Sequence, residues 1–243
     1  MLPACLRVKF PAAWTGWHIP ELTLTAAVAA DDDDSVTAPT ATVSVDPECT
    51  SDYSSDSPVL RASLNGLNVV LKFALREDLV PSLVEEAMLY TGALQPLQGA
   101  AVPRCYGLYG GQGEVGQTIA CLILENWGEC LQQPFHTLPL SLRCGTSFLA
   151  SWTLPDHACE VRLRVLDCLG AIHRRGLWHG DFAERNVLER DGDIRIIDFD
   201  DARAHACACS MNFRPGSAPP DPDAFGCRQL WEICKADMRL WNE

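Results

Sequence analysis

The sequence predicts an α+β fold, with a small antiparallel sheet and one helix in the N-terminal half and a mainly helical C-terminal half. A hairpin is predicted because the alternating segment Val59–Leu64 is followed by Asn65-Gly66 and then by the apolar segment Asn68–Ala74. This dipeptide accepts the positive φ angles of a tight hairpin turn. An amphipathic helix is predicted over Pro155–Arg175, where apolar residues recur at helical spacing and Gly176 follows as a C-terminal cap.

The remaining elements are predicted from the same two periodicities. Apolar residues at roughly helical spacing after Pro81 predict the helix of the N-terminal half. A last helix is predicted over Asp223–Trp241. The other predicted strands are Leu22–Ala26 and Ala41–Val45, both as edge strands, then Pro103–Tyr109, Gln117–Leu124, Asn186–Glu189 and Ile194–Ile197.

Composition limits the class of protein. The chain has 243 residues, 47% of them hydrophobic, which is enough for a sizeable core in one large domain or a domain with a smaller lobe. Its formal net charge of -13 disfavours nucleic acid and anionic membranes as partners. No apolar run approaches the roughly 20 residues that span a bilayer, and a cytoplasmic location is expected.

Three regions are expected along the chain. Residues 1–40 form a partly disordered N-terminal extension, residues 41–127 the sheet-containing lobe, and residues 128–243 the helical lobe. The twelve cysteines are scattered, and several lie within apolar runs. This distribution favours buried free thiols over a disulfide framework.

The chemically informative residues lie late in the chain. Asp181 is expected on a loop after a helix, so that its carboxylate can face a cleft. Asn186 enters a strand five residues later, and Asp198 ends the strand that pairs with it. A hairpin of this length brings Asn186 and Asp198 to the same end, where their oxygen atoms suit Mg²⁺. Asp181 remains available to accept a proton from a hydroxyl that attacks phosphate.

Two segments carry a resemblance to a known family. The run His179-Gly180-Asp181-Phe182-Ala183-Glu184-Arg185-Asn186, followed by Ile196-Ile197-Asp198-Phe199, resembles the protein-kinase-like superfamily. More narrowly, it resembles fungal kinase-like proteins with an H-G-D catalytic loop. The resemblance implies a minimal protein-kinase-like fold with an antiparallel-sheet N-lobe and a reduced helical C-lobe. It implies Asp181 as the catalytic base and Asn186 and Asp198 as Mg²⁺ ligands.

The resemblance extends upstream in the expected order. Val69-Val70-Leu71-Lys72 resembles the strand whose lysine grips the ATP phosphates, and Glu86 resembles the acid that orients it, with Glu85 as the neighbouring alternative. Leu122 to Trp127 resembles the hinge segment. There the backbone groups of Glu125 and Trp127 would bind adenine, and Leu124 would guard the back pocket.

Arg185 has two interpretations. Its place four residues after Asp181 resembles the arrangement in tyrosine kinases, where it could neutralise charge that develops on the γ-phosphate. It could instead form an ion pair with Glu184 or Asp200.

Several positions depart from the kinase pattern. No glycine lies between Ala30 and Asn65, so the glycine-rich phosphate loop is absent, and the stretch Cys49–Ser57 in its place contains Asp52 and Asp56. Gly180 replaces the arginine of H-R-D, which removes the partner of a phosphorylated activation loop. Ala183 stands where protein Ser/Thr kinases usually carry lysine, and Asp200 replaces the glycine of D-F-G.

The preferred hypothesis is an ATP- and Mg²⁺-dependent kinase that phosphorylates a hydroxyl, most simply on a protein Ser or Thr. One alternative is a small-molecule kinase resembling the aminoglycoside and choline phosphotransferases, which share the H-G-D form. The other is a pseudokinase that serves as a protein-binding module, which the missing glycine loop favours.

A last group of residues has the composition of a zinc site. His205, Cys207 and Cys209 lie close together, with Cys227 and Cys234 downstream. The C-x-C spacing is tight and has no matching second pair. Free cysteines on a loop and a helix are therefore the preferred interpretation.

Overall fold

The computed structural model describes residues 3–11, 20–27, 40–47, 57–138, 161–210 and 213–242. Residues 49–56, where the glycine-rich loop of a kinase would lie, and the first six residues of the helix predicted over Pro155–Arg175 are outside these ranges. The chain divides into two compact units. The first comprises residues 1–92 and 104–126, and the second residues 93–103 and 127–243.

The first unit is a closed sheet of seven described strands with one helix, α1 (Val80–Thr91). The strands are β1 (Cys5–Lys9), β2 (Glu21–Ala26), β3 (Thr40–Val45), β4 (Val59–Leu64), β5 (Leu67–Ala74), β6 (Cys105–Gln112) and β7 (Thr118–Glu125). Their order around the sheet is β1-β2-β6-β7-β5-β4-β3. All neighbours are antiparallel except β1 and β3, whose parallel pairing closes the sheet.

This closure corrects two predictions. The sheet was predicted to be antiparallel, and β2 and β3 were predicted as edge strands. Each of these strands has a neighbour on both sides, because β1 lies between them. Residues 1–40, predicted as an N-terminal extension, contribute two complete strands of this sheet, β1 and β2. The strands close because Leu6 and Val8 alternate with polar residues and point into a core that Leu24 and Val43 also line.

The short-range predictions in this unit are confirmed. Strands β4 and β5 pair from Leu64–Leu67 onward, and Asn65 and Gly66 adopt φ angles of 51° and 81°. Positive φ at both central residues is the geometry that this dipeptide favours. Helix α1 has a proline in its first turn, where the missing N–H has no intrahelical partner to lose.

The second unit combines one long helix with short strands. Its elements are β8 (Glu129–Cys130), α2 (Val161–Arg174), β9 (Leu177–Trp178), β10 (Val187–Arg190), β11 (Asp193–Ile196), β12 (Arg203–Ala204), α3 (Pro222–Phe225) and α4 (Arg228–Glu232). Strands β11, β10 and β8 form one antiparallel sheet, and β12 pairs with β9. The β10–β11 hairpin was predicted. No helix in the described part of the chain has the length and apolar character needed to cross a membrane.

The prediction of a single helix over Asp223–Trp241 is wrong. The chain forms α3, breaks at Gly226, resumes as α4 and ends in a π-helical turn over Ile233–Asp237. Gly226 has a φ angle of 80°, and a Cβ atom there would lie 2.7 Å from the carbonyl oxygen of Ala208. The close approach of another backbone segment therefore requires glycine and ends the helix.

Candidate active site

A buried ion pair joins β5 to α1 in the first unit. The Nζ atom of Lys72 lies 2.8 Å from Oε2 of Glu86, and the side chains are 15% and 1% exposed. Glu86 shares its helix face with buried Leu83 and Tyr90, whereas Glu85 is exposed. Helical periodicity thus places Glu86, and not Glu85, against the lysine.

Asp181 lies in the second unit, in the loop after β9. Arg185 donates hydrogen bonds from Nη2 to both carboxylate oxygens of Asp181, at 2.7 and 2.6 Å. Asn186 donates from Nδ2 to the Asp181 carbonyl at 2.8 Å and to its Oδ2 at 3.1 Å. The Asp181 side chain is 38% exposed, so these two residues orient a carboxylate that remains accessible.

The structure gives Arg185 a partner that was not among those considered. Its ion pair is with Asp181 and joins residues four apart. Glu184 instead accepts a hydrogen bond from the backbone N–H of Phe135 at 2.9 Å. Sequence reasoning considered Glu184 and Asp200 and missed Asp181, although a spacing of four residues is a usual one for ion pairs.

Asn186 and Asp198 lie at the same end of the β10–β11 hairpin. The pairing Val187–Ile196 is continued by a 2.9 Å hydrogen bond from the Ile197 N–H to the Asn186 carbonyl. The Nδ2 atom of buried Asn186 is engaged with Asp181, so its Oδ1 atom is the one that suits a cation. An amide oxygen and a carboxylate from the same end of a hairpin are hard oxygen donors, the kind that Mg²⁺ prefers.

His179 braces this loop from inside. It is fully buried, its Nε2 lies 2.8 Å from the Ile197 carbonyl, and its ring centroid is 4.9 Å from that of Phe199. Burial lowers the pKa of His179, and the hydrogen bond to Ile197 opposes the shift only in part. The neutral ring then donates to the carbonyl and fixes the segment that leads into Asp198.

Gly180 has a structural role that sequence reasoning missed. Its φ angle is 85°, and a Cβ atom there would overlap the carbonyl oxygen of Asp201. No other residue fits without moving the backbone. Glycine in the H-G-D run therefore permits close packing of the two loops that carry Asp181 and Asp198.

The predicted hinge residues fall in both units: Leu124, expected to guard the back pocket, and Glu125 lie in the first, and Trp127 lies in the second. Leu124 is buried in β7, and the Glu125 N–H donates to the Arg104 carbonyl at 2.8 Å. The Trp127 side chain belongs to the second unit, where the Arg195 guanidinium lies 4.1 Å from its ring centroid. Together, Trp127 and Arg195 line a cavity of about 410 Å³ in that unit. No sequence spacing signalled this cation–π pair.

Comparison with known proteins gives partial matches. No family model matches the chain. A 57-residue segment is 46% identical to the "Serine/threonine-protein kinase PknL" of Mycobacterium tuberculosis and to the protein of the same name from Mycobacterium bovis. The match covers 23% of this chain and only 14% of the length of those kinases.

A solved structure of vaccinia related kinase 3 is similar to this chain, with a TM-score of 0.46 and 18% sequence identity. The similarity covers 81% of this chain and 64% of that one. The sequence match supports a similarity to protein kinases over the matched segment. The narrower resemblance to fungal proteins stays a prediction.

Proposed function

We propose that this chain is a phosphotransferase of the protein-kinase-like class that transfers the γ-phosphate of ATP to a hydroxyl group. The observation that carries the proposal is the buried Lys72–Glu86 ion pair. Burying two charges is a poor way to stabilise a fold, because desolvation offsets their attraction. A fixed, charged lysine is what phosphate binding requires.

The proposed roles come from the resemblance to protein kinases, together with the contacts that each side chain makes within its own unit. Lys72, held by Glu86, binds the phosphates of ATP. The exposed Asp181 carboxylate, oriented by Arg185 and Asn186, accepts the proton of the attacking hydroxyl. Catalysis would consist of positioning and charge stabilisation, since the protein forms no covalent bond with the phosphoryl group.

Asn186 and Asp198 would hold Mg²⁺ through the Asn186 Oδ1 atom and the Asp198 carboxylate. The bound ion neutralises phosphate charge. The Asn186 amide nitrogen already donates to the Asp181 carboxylate, and this bond turns the amide oxygen of Asn186 away from Asp181. One side chain therefore links the proposed metal site to the proposed base.

A protein Ser or Thr is the proposed acceptor, since the matched relatives are named serine/threonine-protein kinases. Gly180 and Ala183 favour a small alcohol as the second candidate, by resemblance to small-molecule phosphotransferases. A pseudokinase is the alternative from another class, favoured by the absence of glycine between Ala30 and Asn65.

The test is transfer of labelled γ-phosphate by the wild type and by Asp181→Asn. The acceptors are a serine- and threonine-rich protein mixture and a panel of amino alcohols and aminoglycosides. Loss of the base should lower the rate by about 10²–10⁴-fold. Asp191→Asn is the matched control, because Asp191 is an exposed turn residue of the same unit with a φ angle of 54°, which asparagine tolerates.

Transfer that depends on Asp181 but not on Asp191 supports the enzyme, and the acceptor that becomes labelled identifies the substrate class. No ATP turnover by the folded wild type above the Asp181→Asn background would overturn the proposal in favour of a pseudokinase.

A further inference from the structure

Four side chains with metal-binding atoms converge in the second unit, and none of them belongs to the proposed active site. They are His173, His205, Cys207 and Cys227, and their ligand atoms all lie within 4.8 Å of one another. His173 lies in the last turn of α2, His205 directly follows β12, and Cys227 directly precedes α4. Three separate parts of the chain thus contribute to one cluster.

The distances within the cluster approach those of a tetrahedral metal site. The Cys227 Sγ atom lies 3.3 Å from Nε2 of His205 and 3.6 Å from Nδ1 of His173. Zn–S bonds of about 2.3 Å and Zn–N bonds of about 2.0–2.1 Å place tetrahedral ligand atoms about 3.3–3.8 Å apart. The widest separation between ligand atoms, at most 4.8 Å, would have to shorten to about 3.8 Å to complete the tetrahedral geometry.

Backbone contacts hold the three segments together. The His205 N–H donates to the Gly176 carbonyl at 2.8 Å, and the Ala208 N–H donates to the Gly226 carbonyl at 3.1 Å. The second contact is the close approach that requires glycine at position 226. The side chains therefore meet because the backbone is already fixed on both sides of them.

Burial makes these side chains costly without a ligand. His173 and Cys227 are buried, and the Nδ1 atom of His173 faces the Cys227 thiol. Burial also lowers the pKa of His173 to about 4, which keeps the ring in the neutral form that ligates metals. His205 and Cys207 are half-buried and give access from solvent.

We propose that His173, His205, Cys207 and Cys227 bind a zinc ion. Two thiolates and two imidazoles with no fifth ligand are the donor set of structural zinc sites. The ion would tie α2 and the C-terminal helices to the segment that follows Asp198-Phe199. The proposal is independent of phosphotransfer, and it replaces Cys209 and Cys234 of the sequence interpretation by His173.

The cluster has two alternative explanations, a disulfide bond or packing without a metal, and each predicts a behaviour that differs from zinc binding. A Cys207–Cys227 disulfide would remove both thiols, whereas both cysteines are free in the structure. Simple packing would leave a cluster without metal affinity. Burial raises the pKa of the Cys227 thiol to about 11, so zinc binding must release its proton.

The experiment uses the full chain, purified under reducing conditions and incubated with zinc alone. Metal content after removal of excess zinc should be one equivalent per chain. Cobalt substitution should give the visible absorption of a tetrahedral site together with a thiolate-to-cobalt charge-transfer band. Far-ultraviolet circular dichroism establishes that each variant is folded.

His205→Ala and Cys207→Ser are the primary variants, because both side chains are half-buried and their loss leaves the core intact. Each should lose the bound equivalent, and the cobalt charge-transfer intensity should fall with Cys207. Cys209→Ser is the matched control, since Cys209 lies in the same segment but outside the cluster, and this variant should retain the metal.

Absence of stoichiometric zinc in the reduced wild type would overturn the proposal. Equal loss of metal from Cys209→Ser and Cys207→Ser would overturn the ligand set. A cobalt spectrum without thiolate charge transfer would also overturn the ligand set, because it would show that the cysteines do not bind the metal.

Discussion

The ammonium group of Lys72 lies 2.8 Å from the carboxylate of Glu86, and Glu86 is the one buried acid among the described residues. The pair links strand β5 of the closed sheet to helix α1. A buried acid of this kind is stabilised by its cationic partner, so removing that partner has a measurable cost.

Lys72→Met should lower the free energy of unfolding by about 3–5 kcal/mol, because it leaves the Glu86 carboxylate buried without this cation. The double variant Lys72→Met/Glu86→Gln should recover part of this loss, since no buried charge remains at the pair. Urea unfolding followed by circular dichroism measures both. Arg76→Ala, which removes an exposed ion pair with Asp78, is the control and should leave the midpoint unchanged. A Lys72→Met midpoint equal to that of the control would contradict the account.

Gly180→Ala should be more destabilising than Gly116→Ala. Both glycines have positive φ, at 85° and 83°, but a Cβ at Gly116 meets nothing within 4 Å. Gly116→Ala therefore reports the backbone strain alone, about 1–2 kcal/mol. Gly180→Ala adds the overlap with the Asp201 carbonyl. Thermal unfolding of the two variants measures the difference, and equal losses would show that the two loops do not pack as described.

His179 should make the fold sensitive to acid. Burial lowers its pKa in the folded state, so the unfolded chain, with a histidine pKa of about 6.5, takes up the proton first. The contribution of His179 to stability is thus present above pH 6.5 and is lost as the pH falls below that value. His179→Gln should flatten this part of the stability curve between pH 7 and pH 5. An unchanged slope in urea unfolding series would show that the histidine is protonated equally in both states.

Arg185→Ala should affect catalysis more than stability. Its ion pair with Asp181 is largely exposed, at 66% and 38%, so the free energy of unfolding should change by less than about 1 kcal/mol. Loss of the orienting guanidinium should lower kcat by roughly tenfold or more, less than the loss of Asp181 itself. The KM for ATP should change little. Steady-state kinetics separate the two constants, and a change confined to KM would place Arg185 at the nucleotide and not at the base.

Local signals in the sequence predicted local structure. Asn65-Gly66 determined its hairpin because the turn itself requires positive φ. Glu86 was chosen over Glu85 from the resemblance to the kinase helix, and Glu86 is the buried one of the two. The same periodicity could not predict the break at Gly226, because the cause is a carbonyl of Ala208, which lies on another segment.

Long-range pairings escaped sequence reasoning for the same physical reason. The parallel pairing of β1 with β3 joins strands separated by some thirty residues, and no turn motif marks it. His173 lies on the buried stripe of α2, where a histidine has no spacing relation to Cys207 or Cys227. Only the folded chain brings these residues together.

The central claim is a magnesium–nucleotide site that includes Asp198, and thermal unfolding with ATP tests it most directly. At a concentration 100-fold above Kd, ATP should stabilise the fold by about 2.7 kcal/mol. The account predicts a rise in Tm that requires Mg²⁺, persists in Asp191→Asn and is lost in Asp198→Asn. Asparagine suits the φ angle of 69° at position 198, so this variant should fold. No shift of the wild type at millimolar ATP with Mg²⁺, or an equal shift in Asp198→Asn, would contradict it.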